Sequence, residues 1–119
     1  MTDEQDSDRR RHHRMPVLLR VDYDTPDGPA VDHLTSLASG GLFLQTSAPF
    51  DLGDRVILTL SLPGVLEPCP LVGTVRRRQT EAGGDSAGPG VGVEFLFRSY
   101  EEREQVARFV AMLEDLERE

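Results

Sequence analysis

"LFLQTSAPFDLGDRVILTLSL", residues 42 to 62, holds two apolar runs around a loop, and its reading decides the fold class. The second run, "RVILTLSL" (55 to 62), is rich in β-branched and apolar side chains and reads as a strand. The first, "LFLQT" (42 to 46), follows "SGG" and reads as another, with "SAPFDLGD" (47 to 54) as the loop between them.

Working outward, the same alternation recurs on both sides. In "PVLLRVDYD" (16 to 24), Val17, Leu19, Val21 and Tyr23 alternate with Leu18, Arg20, Asp22 and Asp24, the period of a half-buried strand. "TPDG" (25 to 28) turns the chain, and a further strand is expected over 31 to 37. Beyond the opening stretch, "PGVLEPCP" (63 to 70) reads as a hairpin connection and "LVGTVRRR" (71 to 78) as the strand that pairs back. The Gly-rich "EAGGDSAGPG" (81 to 90) reads as a mobile loop, and "VGVEFLF" (91 to 97) as the last strand. From Ser99 the period becomes helical: Ser99 and Glu102 have capping-box spacing, and Val106, Phe109, Val110, Leu113 and Leu116 recur on one face. Antiparallel strands joined by tight turns protect their edges by closing. The pattern therefore predicts an all-β, six-stranded antiparallel Greek-key-like (split) barrel, with a C-terminal α-helix packed across an opening.

Composition narrows the functions. At 119 residues the chain suits one folded unit, placed over 9–119 after a disordered acidic tail, "MTDEQDSD" (1–8). A net charge of -8 and the absence of Trp argue against DNA or RNA as a partner, since such affinity needs a broad cationic face and stacking platforms. The single cysteine and the lack of a long apolar run predict a cytoplasmic chain without a membrane span. His12, His13 and His33 lack metal-ligand spacing and read as surface residues, so no metal is expected. Cys69, between Pro68 and Pro70 in the expected hairpin loop, has no base beside it in sequence, and no nucleophile, base and oxyanion set assembles. The expectation is a non-catalytic protein without a resident cofactor.

Against this acidic background "RRRHHR" (9 to 14) gathers four of the thirteen arginines. Two guanidinium forks four positions apart can grip one compact anion or read a guanine edge, and they can equally serve as a solvated segment that offsets the acidic tail. "RRR" (76 to 78) has two readings as well: arginines that guard an exposed strand edge, or a second basic wall near a ligand or partner. The outer face of the helix, "EERE" (101 to 104) and "EDLERE" (114 to 119), is a candidate partner surface.

Taken together, "RRHHR" (10 to 14), "TSLASGGLFLQTSAPFDLGDRVILTLSLPG" (35 to 64) and "GVGVEF" (90 to 95) resemble the PilZ domain, the bacterial receptor module for cyclic di-GMP, over residues 9 to about 115. The family's first motif, Arg-x-x-x-Arg, is met by Arg10 and Arg14, with Arg11 in the commonly doubled position. The second, Asp or Asn-x-Ser-x-x-Gly, falls on Ser36, Ala38 and Gly41, and only the glycine matches. The resemblance implies that Arg10, Arg11, Arg14, Ser36 and Gly41 would hold cyclic di-GMP if it binds. It also implies a signalling module in cyclic di-GMP-linked control of motility, pili or surface behaviour. With its second motif altered, the chain is expected to act as an adaptor through regulatory protein partners, with nucleotide binding weak or lost. The alternative is a working cyclic di-GMP receptor that uses the Arg10 and Arg14 pair.

Overall fold

The computed structural model describes residues 18–34, 37–62, 64, 66–79 and 88–118. Six strands, β1 (Leu19–Thr25), β2 (Gly28–Leu34), β3 (Gly41–Gln45), β4 (Arg55–Leu62), β5 (Leu66–Gln79) and β6 (Gly90–Leu96), precede one helix, α1 (Tyr100–Arg118). All pairings are antiparallel, in the order β2-β1-β4-β5-β6-β3. The expected all-β split barrel with a C-terminal helix is the observed architecture.

Alternation decides which face of each strand is buried. Leu19, Val21 and Tyr23 of β1 and Val56, Leu58, Leu60 and Leu62 of β4 point inward, against Val91, Val93 and Phe95 of β6. Val106, Phe109 and Leu113 of α1 complete the core, with Val110 packed at its margin, so these four positions of the helical stripe form the face that docks. Phe109 is fully buried, and truncating a phenylalanine at such a site costs about 3 to 5 kcal/mol.

The sheet curls until its two edges meet. A carboxylate oxygen of Asp32, on edge strand β2, accepts a hydrogen bond from the main-chain N–H of Gln45 on edge strand β3 at 2.9 Å. Its other oxygen accepts from the N–H of His33 at 2.8 Å. Strands at opposite ends of the pairing order are thus joined by a charge-assisted bond from a side chain.

Element boundaries differ from expectation in places that have physical causes. β2 begins at Gly28, not at residue 31, because the turn closes at once: the Thr25 hydroxyl donates to the Gly28 carbonyl at 2.8 Å and accepts from the Asp27 N–H at 2.9 Å. "EPCP", expected in a hairpin loop, belongs to β5, where Cys69 lies opposite Leu60 and is buried. Pro68 and Pro70 are tolerated because β6 pairs with β5 only from Val72 to Gln79, so that among the described residues this half of β5 has no second strand partner. At the start of α1 the Ser99 hydroxyl accepts the Glu102 N–H at 3.2 Å, as the capping spacing requires. Glu102 turns back one residue further than a capping box does: it accepts the Arg98 N–H at 2.9 Å and the Arg98 guanidinium at 2.6 Å. No helix among the described residues is long and apolar enough to cross a membrane.

Candidate functional site

The turn before β3 is pinned to β6 by its backbone. The Gly40 carbonyl accepts the Phe95 N–H at 2.9 Å, the Ala38 N–H reaches the Gly41 carbonyl at 3.3 Å, and Gly41 stands opposite Glu94. Neither Gly40 nor Gly41 adopts a left-handed φ, so the freedom of a tight turn is not what Gly41 supplies. A Cβ at Gly41 would collide with the main-chain oxygen of Val93, whereas one at Gly40 would meet nothing. The glycine is there to let β3 lie close against β6.

On the neighbouring strand a bulge changes where the arginines point. The "DLGD" loop bonds to β5 through Gly53 N–H to the Val75 carbonyl (2.8 Å) and Val75 N–H to the Asp54 carbonyl (2.9 Å). Immediately afterwards the β5–β6 register shifts between Val75 and Arg77, leaving Arg76 as the extra residue. Bulges re-aim side chains, and here both Arg76 and Arg77 reach the same outer face. Arg76 pairs with Glu94 (Nε to Oε1, 2.7 Å), with both side chains exposed.

Arg77 is placed differently. Register puts Phe43, Gly92 and Arg77 in one row across β3, β6 and β5. Because the middle residue has no side chain, the outer two meet above it, and the Arg77 Cζ lies 5.9 Å from the centre of the Phe43 ring. A Cβ at Gly92 would come within 3.3 Å of the Arg77 Cβ, a tight contact to which the Arg77 side chain would have to yield by a few tenths of an ångström.

These residues surround a shallow cavity of about 400 Å³, lined by Ala38, Gly40, Gly41, Phe43, Arg76 and Arg77 among others. Of the positions singled out in sequence, Gly41 lies in its wall, and so does Ala38, whose methyl stands where the family motif has a hydroxyl. Arg10, Arg11, Arg14 and Ser36 lie outside the described residues, as do His12 and His13. His33 is exposed on β2. The basic-wall reading of "RRR" (76 to 78) puts Arg76 and Arg77 beside this cavity. The edge-guard reading keeps a part as well, since these residues pair with β6 and have no β4 partner. Phe43 and Gly92 carried no signal in sequence, because only strand register brings them together.

Elsewhere the chemistry is quiet. Burial pushes the Cys69 thiol up, and the nearby Glu102 carboxylate adds to the effect, so the reactive thiolate is disfavoured. Among the described residues no His, Cys, Asp and Glu side chains gather as a metal-binding group.

Six antiparallel strands curled under one helix, with a glycine-floored cavity on the outer face of β3, β6 and β5, define a small split barrel. The PilZ domain family model matches residues 8–112, and the chain belongs to that family. Solved structures share the fold. The Bacillus subtilis inhibitor of motility (MotI/DgrA) superposes with a TM-score of 0.64 at 14% identity, covering 84% of this chain and 48% of that one. The PilZ domain of CeSA from a cellulose-synthesizing bacterium gives 0.59 at 24% identity, with 84% and 96% covered. The PilZ domain of Escherichia coli YcgR, solved with c-di-GMP, gives 0.61 at 18% identity, with 82% of each chain covered. The chain thus spans about half the length of the MotI/DgrA protein. A sequence comparison with curated proteins gives no match.

Proposed function

We propose that this PilZ domain is a non-catalytic signalling module whose affinity for cyclic di-GMP is weakened, and which acts on motility, pili or surface behaviour by contact with a protein partner. Family membership and the shared fold with an inhibitor of motility and with a c-di-GMP-bound YcgR domain support the process. The observation that carries the weakened affinity is Ala38: it is exposed on the cavity wall and brings no hydrogen-bonding side chain to it. Ser36 likewise replaces an acid or amide with a shorter hydroxyl. Each lost polar contact is worth about 1 to 3 kcal/mol, so the two together weaken binding by roughly tenfold to several thousandfold.

A second reading, a working receptor, is favoured by the Arg76 and Arg77 wall, which adds cationic groups to those expected from Arg10, Arg11 and Arg14. Calorimetric titration with cyclic di-GMP separates the two. On the adaptor reading the wild-type chain binds weakly or not at all, and Ser36→Asp with Ala38→Ser tightens binding by at least about tenfold. Saturable low-micromolar binding by the unaltered chain, with partner capture that depends on it, overturns the adaptor and establishes the receptor.

A further inference from the structure

The row Phe43, Gly92, Arg77 has features of a built contact, although Arg77 itself is exposed. The guanidinium sits 5.9 Å from the Phe43 ring centre, and the strand between them carries glycine at the one position where any side chain would crowd Arg77. Arg77 has no ion pair among the described residues, while its neighbour Arg76 is matched by Glu94. The cavity wall therefore keeps one surplus positive charge in a chain whose net charge is -8. At about 400 Å³ the cavity falls within the ~300 to 1,000 Å³ usual for small-molecule sites.

A guanidinium is planar and has two faces. Arg77 is within cation–π reach of the electron-rich Phe43 ring and also lines the cavity, so a second ring could meet its other face. An arginine already seated on an aromatic ring loses less conformational freedom when a second ring stacks on it, because its side chain is partly ordered beforehand. We propose that Arg77 is a specificity-determining residue of this chain, on which a planar purine of an anionic nucleotide stacks, giving a Phe43, Arg77, purine sandwich. The contact comes from β3, β5 and β6 and is independent of both sequence motifs. It rests on reading the cavity as the nucleotide site, and it tells which part of an incomplete site still recognises the base.

The test uses the chain carrying Ser36→Asp with Ala38→Ser, titrated calorimetrically with cyclic di-GMP, and the same chain with Arg77→Ala, Arg77→Lys, Gly92→Val or Phe43→Leu added. Circular dichroism and melting temperature confirm that each is folded, which the exposure of Arg77 favours. Arg77→Ala is expected to weaken binding by about tenfold or more, and Arg77→Lys by nearly as much, since an ammonium keeps the charge and loses the plane. Gly92→Val, which crowds Arg77 without removing it, should act in the same direction, with Phe43→Leu a smaller loss of about threefold. Full affinity in Arg77→Lys would overturn stacking in favour of charge alone. Full affinity in Arg77→Ala would overturn the contact altogether and leave the cavity as the nucleotide site. Absence of binding by the parent double variant would overturn both this inference and the reading on which it rests.

Discussion

Two of the cavities that indent the barrel's surface lie at opposite ends of the sheet and differ in charge and in lining more than in size. One, about 310 Å³, lies on the β2-β1-β4 end, lined by Asp22, Asp24, Pro29, Val31, Ile57 and Thr59 among others. The other, about 400 Å³, lies on the β5-β6-β3 end, with arginines in its wall and glycines in its floor. At the first, Arg20 is folded onto Asp22 with donor distances of 2.9 to 3.3 Å, so its charge is consumed locally and Asp24 leaves the face acidic. At the second, Arg76 is matched by Glu94, and Arg77 has no ion pair among the described residues. On the proposed reading a dianionic ligand would be repelled from one and drawn to the other. Volume does not distinguish the two cavities; the sign of the wall and the bareness of the floor do.

If the floor of the second cavity depends on backbone approach, adding a methyl there should cost far more than removing one at the first. Gly41→Ala drives a Cβ into the Val93 carbonyl, and the expected loss is about 3 kcal/mol, because backbone and not a flexible side chain must move. Gly40→Ala, one residue away with open space at its Cβ, is the internal control and should be nearly neutral. Ala30→Gly, in the lining of the first cavity, should cost about 1 kcal/mol, mostly backbone entropy. Chemical denaturation of the three variants measures this. A loss at Gly41 no larger than at Ala30 would mean that β3 has room to shift and that the floor is not fixed.

The same contrast explains what could be read without coordinates. The first end was legible because short-range patterns determine it: the alternation of Leu19, Val21 and Tyr23 and the "TPDG" turn between β1 and β2. The helix was legible for the same reason, its cap at Ser99 and its stripe at Val106, Phe109 and Leu113 both lying within a few residues. The second end was not. Its chemistry arises from register between strands far apart in sequence, which sets Phe43, Gly92 and Arg77 in a row, and from a bulge that follows directly on the docking of the "DLGD" loop at Val75. Cys69 was misplaced for a related reason: prolines on both sides signal a loop locally, and only the lack of a second strand partner for this half of β5, among the described residues, shows why a strand accepts them. The motif glycine was found, but its role as a point of backbone contact was not.

Asp32 joins the two ends, and removing it asks whether they form one body. Its carboxylate holds the Gln45 N–H and the His33 N–H, so Asp32→Ala should cost about 2 kcal/mol, the usual range for orphaning a charge-assisted bond. Asp32→Asn keeps one acceptor oxygen and should recover roughly half of that. Amide hydrogen exchange adds the spatial test: protection should fall at Gln45 and along the β3 edge. Loss confined to β2 would show that the edges touch without supporting one another.

The smallest effects separate local geometry from overall charge. Asp22→Asn and Glu94→Gln each remove one negative charge from a cavity wall, and they change the net charge of the chain equally. In the first cavity the Arg20 fork holds the Asp22 carboxyl below the usual carboxylate range. A carboxyl depressed in the folded state favours folding above its unfolded pKa, and that contribution is lost as pH falls through the folded pKa. The melting-temperature deficit of Asp22→Asn should therefore be present at neutral pH and fade in acid below that point, with no effect on nucleotide affinity. In the second cavity Glu94→Gln releases the Arg76 guanidinium toward the ligand. The expected result is about two- to threefold tighter cyclic di-GMP binding to the Ser36→Asp, Ala38→Ser chain, with the gain shrinking as salt screens the exposed charge. Equal tightening by both substitutions would mean that the acidic chain repels nucleotide as a whole, and the distinction between the two cavities would fall.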